Sequence, residues 1–448
     1  MASAAEQLAA NINLGVFSKA TELKRRLWFT LGALIVYRLG TYIPLPGINS
    51  AAFAEAFNAM SGGIVGMLNM FGGGAVARMS IFALNIMPYI SASIIVQLMT
   101  AVSPQLEAMK KEGEAGRKKL NQYTRYLTVP LAAVQSYGIA VGLEAISGSA
   151  GSSVMEPGLF FRLSTVITMT GGTVFLMWLG EQITARGVGN GISLIIFSGI
   201  VAALPLALVR ILELGRTGGI STGLILLMLV LAVAVVTFIV FMERAQRRLI
   251  VQYPKRQSGN RTMGGDSSHL PLKLNTSGVI PPIFASSLLL LPLSAAQFTG
   301  MQSQDNWLST LTIYIGHGRP LYMVLYAALI LFFAFFYTAI VFNPTETADN
   351  LRKYGGFIPG IRPGKNTADY LDYVLTRLTV IGAGYLVIVC LLPEFLVSEL
   401  PGSFYFGGTS LLIVVSVTMD TVAQVHSHLL AHQYEGLIKK AKLRGRRG

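Results

Sequence analysis

Charge is what this sequence has least of. Only 12% of its 448 residues are Asp, Glu, Lys or Arg, about half the share of a soluble chain. It has one cysteine, Cys390, inside the apolar run YLVIVCLL, so a disulfide framework and a dithiol redox motif are both excluded. The start, MASAAEQLAANINLGVFSK, lacks a basic stretch leading into an apolar core, and Glu6 and Glu22 are wrong for an organelle transit peptide. A phosphate-binding loop is missing too. In GIRPGKNT (360–367) only three residues separate Gly360 from Gly364, and Asn366 stands where Ser or Thr must reach magnesium. His426, His428 and His432 gather near the end of the last apolar segment, but histidines suit helix C-termini without a metal. No catalytic or zinc constellation remains, which points away from an enzyme and from any cofactor or metal.

What is present is apolar sequence. Hydrophobic residues make up 52% of the chain and mean hydropathy is +0.57. Runs long enough to cross about 30 Å of hydrocarbon as helices recur along the chain. Ten candidate spans fall at about 27–45, 79–102, 126–143, 159–180, 192–212, 223–242, 278–293, 321–342, 375–392 and 408–426. The expected class is therefore an all-α polytopic membrane protein with ten transmembrane helices.

An even number of spans puts both termini on one side, and the basic residues say which. All but six of the 35 Lys and Arg lie before the first span, in alternate loops or in the tail; the exceptions are Arg38, Arg78, Arg162, Arg210, Arg216 and Arg319. The positive-inside rule then makes both termini cytoplasmic. Two loops on that side, 243–277 and 343–372, are long and basic, and their apolar interruptions LIVQY and FIPGI suit ordered protrusions. Topology alone explains some of their charge. Their length favours docking surfaces for a large partner, either ribosomal RNA through its phosphates or an acidic protein face.

The second span of each set of five carries prolines, Pro88 in one and Pro281 with Pro282 in the other. Breaks in corresponding places point to two pseudo-symmetric five-helix halves with the working site between them. Just before the first of these spans lies GGIVGMLNMFGGGAVAR (62–78). It reads either as a plain external loop or as a stopper lining a cavity, because irregular backbone at membrane depth is tolerated only inside protein. Asn69 and Arg78 would be badly placed against lipid. Of the ionisable groups, Arg38 and Asp420 are the candidates for membrane-embedded charge, few for coupled transport. These patterns alone leave a channel and an ion-coupled secondary transporter with a five-plus-five inverted repeat nearly level, and a nucleic-acid-binding membrane protein behind both.

Longer motifs separate them. MFGGGAVARMSIFALNIMPYISASIIVQL, KKEGEAGRKKLNQYTRY, MWLGEQITARGVGNGISLIIF, SSHLPLKLNTSGVIPPIFASS, FNPTETADNLRKYGGFIPGIRPG and FYFGGTSLLIVVSVTMD resemble, in order from Leu23 to the tail, the SecY family. Its bacterial members are the central subunit of the protein-conducting translocon. The resemblance implies an hourglass channel of two halves, 24–222 and 223–426, between a cytoplasmic segment 1–23 and a tail 427–448. It implies a channel that passes unfolded secretory polypeptides across the bacterial plasma (inner) membrane and releases membrane proteins sideways into it.

Carried over motif by motif, the resemblance assigns a pore ring to Ile86, Ile90, Ile192, Ile196, Ile283 and Ile413. It makes the plug of Ile64, Val65, Gly66, Met67, Leu68, Asn69, Met70, Phe71, Gly72, Gly73, Gly74, Ala75, Val76, Ala77 and Arg78. Gln97, Gln135 and Asn275 become candidates at a lateral gate. Arg362 leads the docking residues, followed by Arg247, Arg248, Lys255, Arg256 and Arg261. The implied partners are the small membrane subunits SecE and SecG, the motor ATPase SecA, the ribosome, the signal sequences of nascent chains and the lipid bilayer. Two positions depart from the family pattern. Asn260 stands where some relatives have arginine, and Asn85 where the second-span motif usually has glycine.

Overall fold

The computed structural model describes residues 21–60, 69, 72–145, 147–148, 151–218, 221–253, 256–258, 261–263, 267–298, 319–399 and 408–444. The chain begins with α1 (Thr21–Gly40), α2 (Ser50–Met60), α3 (Met87–Val102), α4 (Pro104–Lys111) and α5 (Glu114–Ala145). A short hairpin of β1 (Ser147–Gly148) and β2 (Gly151–Ser152) leads to α6 (Leu159–Arg186), α7 (Gly191–Arg216) and α8 (Thr222–Arg244). Four strands follow: β3 (Gln246–Gln252), β4 (Arg256–Ser258), β5 (Arg261–Met263) and β6 (Ser267–Lys273). The remainder is helical, with α9 (Ile280–Phe298), α10 (Pro320–Val341), α11 (Pro344–Lys353), α12 (Lys365–Glu399) and α13 (Gly408–Arg444).

A helix occupies each of the ten predicted spans, namely α1, α3, α5 to α10, α12 and α13. Seven described helices are long and apolar enough to cross a membrane, or eight if α3 and α4, bent by 100°, count as one span. The first helix falls short of that test because it carries Lys24, Arg25, Arg26 and Arg38. The described apolar part of α9 is only Ile280–Leu289. Large apolar side chains lie exposed along α1, α6, α8 and α10, among them Trp28, Ile35, Phe160, Ile167, Leu226, Leu229 and Val324. In water such faces would aggregate; against lipid tails they meet a matching solvent.

The span expected over 79–102 is helical only from Met87. Met79 and Asn85 hold positive φ angles of 45° and 50°, and Pro88 falls in the first turn. Proline at a helix start loses nothing, because the first N–H groups have no intrahelical acceptor. Pro281 and Pro282 likewise lie in the first turn of α9. The prolines therefore mark where these helices begin, not interruptions within them. Elsewhere helices outrun their apolar spans: α12 is 35 residues long, about 52 Å against about 30 Å of hydrocarbon.

The chain divides into two compact units. One takes in the chain through Leu206, Ala295–Gln302 and the chain from Val417, the other Ala207–Ser294 and Ser303–Ser416. In the first, α5 packs on α3 and α6, and α1 packs on α6. One apolar cluster of it joins Leu45, Phe53, Phe57, Met79, Leu84, Ile139, Leu143, Phe161 and Met169. In the second, α12 packs against α10, α11 and α8.

Candidate channel site: seal segment, isoleucines and loop platform

Within the first unit, the glycine-rich segment is tied into a compact loop. Asn69 Oδ1 accepts the Ala77 N–H at 2.8 Å, and the Asn69 carbonyl accepts the Gly74 N–H at 2.8 Å. Gly73 and Gly74 turn the chain with φ of 61° and 86°, angles at which a side chain is strained. Two guanidinium groups then meet on one carbonyl. Arg38 from α1 donates to the Gly73 oxygen at 2.9 Å and Arg78 donates to the same oxygen at 3.1 Å. Arg78 also donates to the Thr41 carbonyl at 3.2 Å and lies 4.0 Å over the Tyr42 ring.

The root of the segment is fixed separately. Pro44 and Ser80 form an antiparallel bridge, with Leu45 N–H donating to Met79 and Ile81 N–H to Ile43. The Phe82 ring stacks between Tyr37 at 6.1 Å and Phe175 at 5.9 Å. A Cβ at Gly40 would strike the Phe82 ring, and one at Gly172 the Ile81 carbonyl. Small residues on α1 and α6 thus admit the segment at close range. Asn85 adopts the left-handed conformation that Asn tolerates better than other side chains.

Four of the six candidate ring residues belong to this unit. Ile86, fully buried, immediately precedes α3, and Ile90 follows one turn later, also buried. Ile192 and Ile196 take the same i,i+4 spacing on the first turns of α7, which puts each pair on one helix face. The start of α7 is held by the GVGNG turn. Gly189 N–H donates to Gln424 Oε1, Gly191 N–H to Thr184 Oγ1, and Val188 N–H to Thr30 Oγ1. Gly180 on α6 leaves room for Ile192, whose Cγ1 lies 3.2 Å from where a Cβ would stand.

In the second unit, half-buried Ile283 lies in the first turns of α9 and Ile413, 1% exposed, in α13. A polar knot sets the start of α9. Asn275 Nδ2 donates to Glu243 Oε1 at 2.7 Å and to the Gly278 carbonyl at 3.0 Å. Its Oδ1 accepts from Ser277 Oγ and Gly278 N–H, and Tyr385 donates to the same Glu243 oxygen.

The two basic loops of this unit are one body. Strands β3 and β6 pair antiparallel from Gln246↔Lys273 to Gln252↔Ser267, and Gln252 bridges to Phe357 in the other loop. Leu249, Val251 and Leu272 face inward onto Ile358 and onto Leu371, Val374, Leu375 and Leu378 of α12. Arg247, Arg248 and Arg362 are exposed.

Comparison with known proteins bears on what this arrangement is. The sequence model of the SecY family matches residues 80–422. The protein translocase subunit SecY of Rickettsia felis is 55% identical over 430 residues, covering 96% of this chain and 99% of that protein. That of Escherichia coli K12 is 56% identical over 424 residues, 95% and 96% of the two chains. This chain belongs to the SecY family. Solved channels share its fold: a protein-conducting channel at TM-score 0.66 and 17% identity, covering 91% of this chain and 92% of the other. A SecY structure concerned with the plug domain matches at 0.65 and 18%, with the same coverage. The ten-helix architecture in two halves is that of SecY.

Of the SecY-family residues carried over above, Asn69 and Gly72–Arg78 of the candidate plug are described, while Ile64, Val65, Gly66, Met67, Leu68, Met70 and Phe71 lie outside the described residues. So does Lys255; Arg256 and Arg261 lie in the paired strands β4 and β5. Gln97 donates to Ser93 Oγ on α3 and Gln135 is half-buried on α5, both in the first unit, with Asn275 in the second. Sequence reasoning passed over Tyr42, Thr41, Met79, Phe82 and Glu243. Of these, only Glu243, an acidic group at the end of an apolar run, leaves a mark in the sequence.

Proposed function

We propose that this chain is the protein-conducting channel of a bacterial translocase, passing unfolded polypeptides across the plasma membrane and releasing apolar segments sideways into lipid. The near end-to-end match to protein translocase subunits carries this reading. Its parts follow from chemistry. Six isoleucines at the waist of an hourglass form a constriction that blocks ions by dewetting yet yields to an extended chain. The segment 64–78 seals that constriction from outside. A signal sequence enters between α3 and α9 because its apolar surface leaves water, parting the two halves at a gate lined by Gln97, Gln135 and Asn275.

Both termini and the paired loops face the cytoplasm, as their basic residues favour. Arg362, with Arg247, Arg248, Lys255, Arg256 and Arg261, forms the surface for the ribosome and for the motor SecA; SecE and SecG clamp the bundle. The chain performs no catalysis, so the work of translocation comes from those partners. An ion-coupled transporter finds no support, because the relatives matched almost end to end are protein translocase subunits.

The test is reconstitution with the small subunits in proteoliposomes, supplied with SecA, ATP and a signal-bearing precursor. Protease-protected precursor inside the vesicles is the expected result. A chain that moves no precursor but accumulates a small solute down an ion gradient would sink the reading.

A further inference from the structure

The candidate plug is attached at two places, its root and its tip. Its root, 80–86, is packed: the stacked rings of Tyr37, Phe82 and Phe175 and the backbone bridge to 43–45 resist separation. Its tip, 72–78, is also packed, with Ala75 buried and Val76 and Ala77 against the apolar cluster, and it is held to α1 by polar contacts converging on Gly73. Arg38 and Arg78 both donate to that oxygen, Arg78 grips the Thr41 carbonyl, and Tyr37 Oη donates to the Gly72 carbonyl at 3.4 Å. The ion pairs among the described residues include neither arginine. Between tip and root sits Met79, buried with φ of 45°, a conformation an unbranched side chain adopts only at a cost in strain.

We infer that Arg38 and Arg78 are a latch on the Gly73 carbonyl that holds the plug tip closed, with Met79 as the hinge about which the tip swings from its fixed root. The inference rests on the plug reading proposed above and names the residues that set its resting balance. The chemistry suits a device that must open. A cation bound to a carbonyl is weaker than a desolvated ion pair, and both arginines can pass to water or to lipid phosphate when the tip leaves. Asn69 keeps the loop closed on itself, so the tip travels as one piece.

The experiment is resting ion conductance in planar bilayers, using the full channel with its small subunits. It compares the intact chain, R38Q, R38K, R78Q, R38Q/R78Q and a chain lacking 64–78. The deletion is expected to conduct. R38Q and R78Q are each expected to raise the resting open fraction about tenfold, the scale of one charged hydrogen bond. The double variant should fall short of the product of the two, because they share one acceptor. R38K, a cation that can still donate to a carbonyl, should restore most of the closure, which a purely packing role for Arg38 would not allow. If the deletion conducts while R38Q and R78Q stay as silent as the intact chain, or if R38K leaks like R38Q, the latch is wrong and the plug reading survives. If the deletion is itself silent, the plug reading fails and the latch falls with it. R78Q, altered on the segment itself, decides the matter should R38Q not assemble.

Discussion

Neighbouring glycines on α6, Gly171 and Gly172, offer a sharp test of how the chain at 79–82 is seated. Around Gly171 a Cβ would meet nothing within 4 Å, while one at Gly172 would drive into the Ile81 carbonyl oxygen, with Phe82 Cδ1 at 3.2 Å behind it. Replacing glycine by alanine inside a helix gains about 0.8–1 kcal/mol from propensity. Gly171→Ala should therefore stabilise the protein by up to about 1 kcal/mol. At Gly172 the same gain is opposed by overpacking, about 1–3 kcal/mol in well-packed interiors. The struck atom is backbone and cannot rotate away, so the upper end applies and the net loss is about 2 kcal/mol. The consequence extends beyond stability. A displaced Ile81 carbonyl disturbs the strand-like pairing of 79–81 with 43–45, so Gly172→Ala should also leak ions at rest. Melting temperature of the purified complex and resting conductance read the two effects. Equal behaviour of the two variants in both assays would refute the claim that α6 admits the segment by a glycine at 172.

Further expectations follow from other sites. Replacing Ile86 and Ile90 by asparagine should produce a resting ion leak and relax signal selection; unchanged conductance and selection would count against a seat for these residues in the ring. Asn275→Ala removes a side chain that serves Glu243, Ser277 and Gly278 together, and should lower stability by about 1–3 kcal/mol, read as a drop in melting temperature with the start of α9 most exposed to hydrogen exchange. Cysteines at Gln252 and Phe357, which are bridged partners, should oxidise to a disulfide, since opposed strand residues bring Cα atoms within bridging range. The cross-linked channel should still translocate if the loops work as one body, and loss of transport would show that they must part.

Hydropathy found the ten helices because a bilayer forces each crossing segment to be apolar for its whole depth. It missed the polar continuations of α5 from Glu114 and of α12 from Lys365, because it senses lipid contact and not helicity. It also carried the α3 span back to residue 79, where backbone angles at Met79 and Asn85 forbid a helix; positive φ at a non-glycine residue has no reliable sequence signature. The interior arginines stood out by charge. Their shared acceptor could not be anticipated, because a carbonyl oxygen is present at every residue and only the fold selects Gly73. The Gln252–Phe357 bridge joins positions about a hundred residues apart, and pairing at that range depends on tertiary packing. The motifs were legible because they extend over much of the chain in a fixed order.

The shared core of the loop platform has a mechanical meaning. Leu249, Val251 and Leu272 rest on the first turns of α12, while β3 continues from α8 and β6 runs into the knot that begins α9. A load applied to the outer face of this hairpin has no slack to take up before it reaches three membrane helices. Interiors packed at crystal-like density transmit strain rather than absorb it. If the platform receives a partner as proposed, a tilt of it would turn α8, α9 and α12 together, a crank that converts touch outside the bilayer into motion within it.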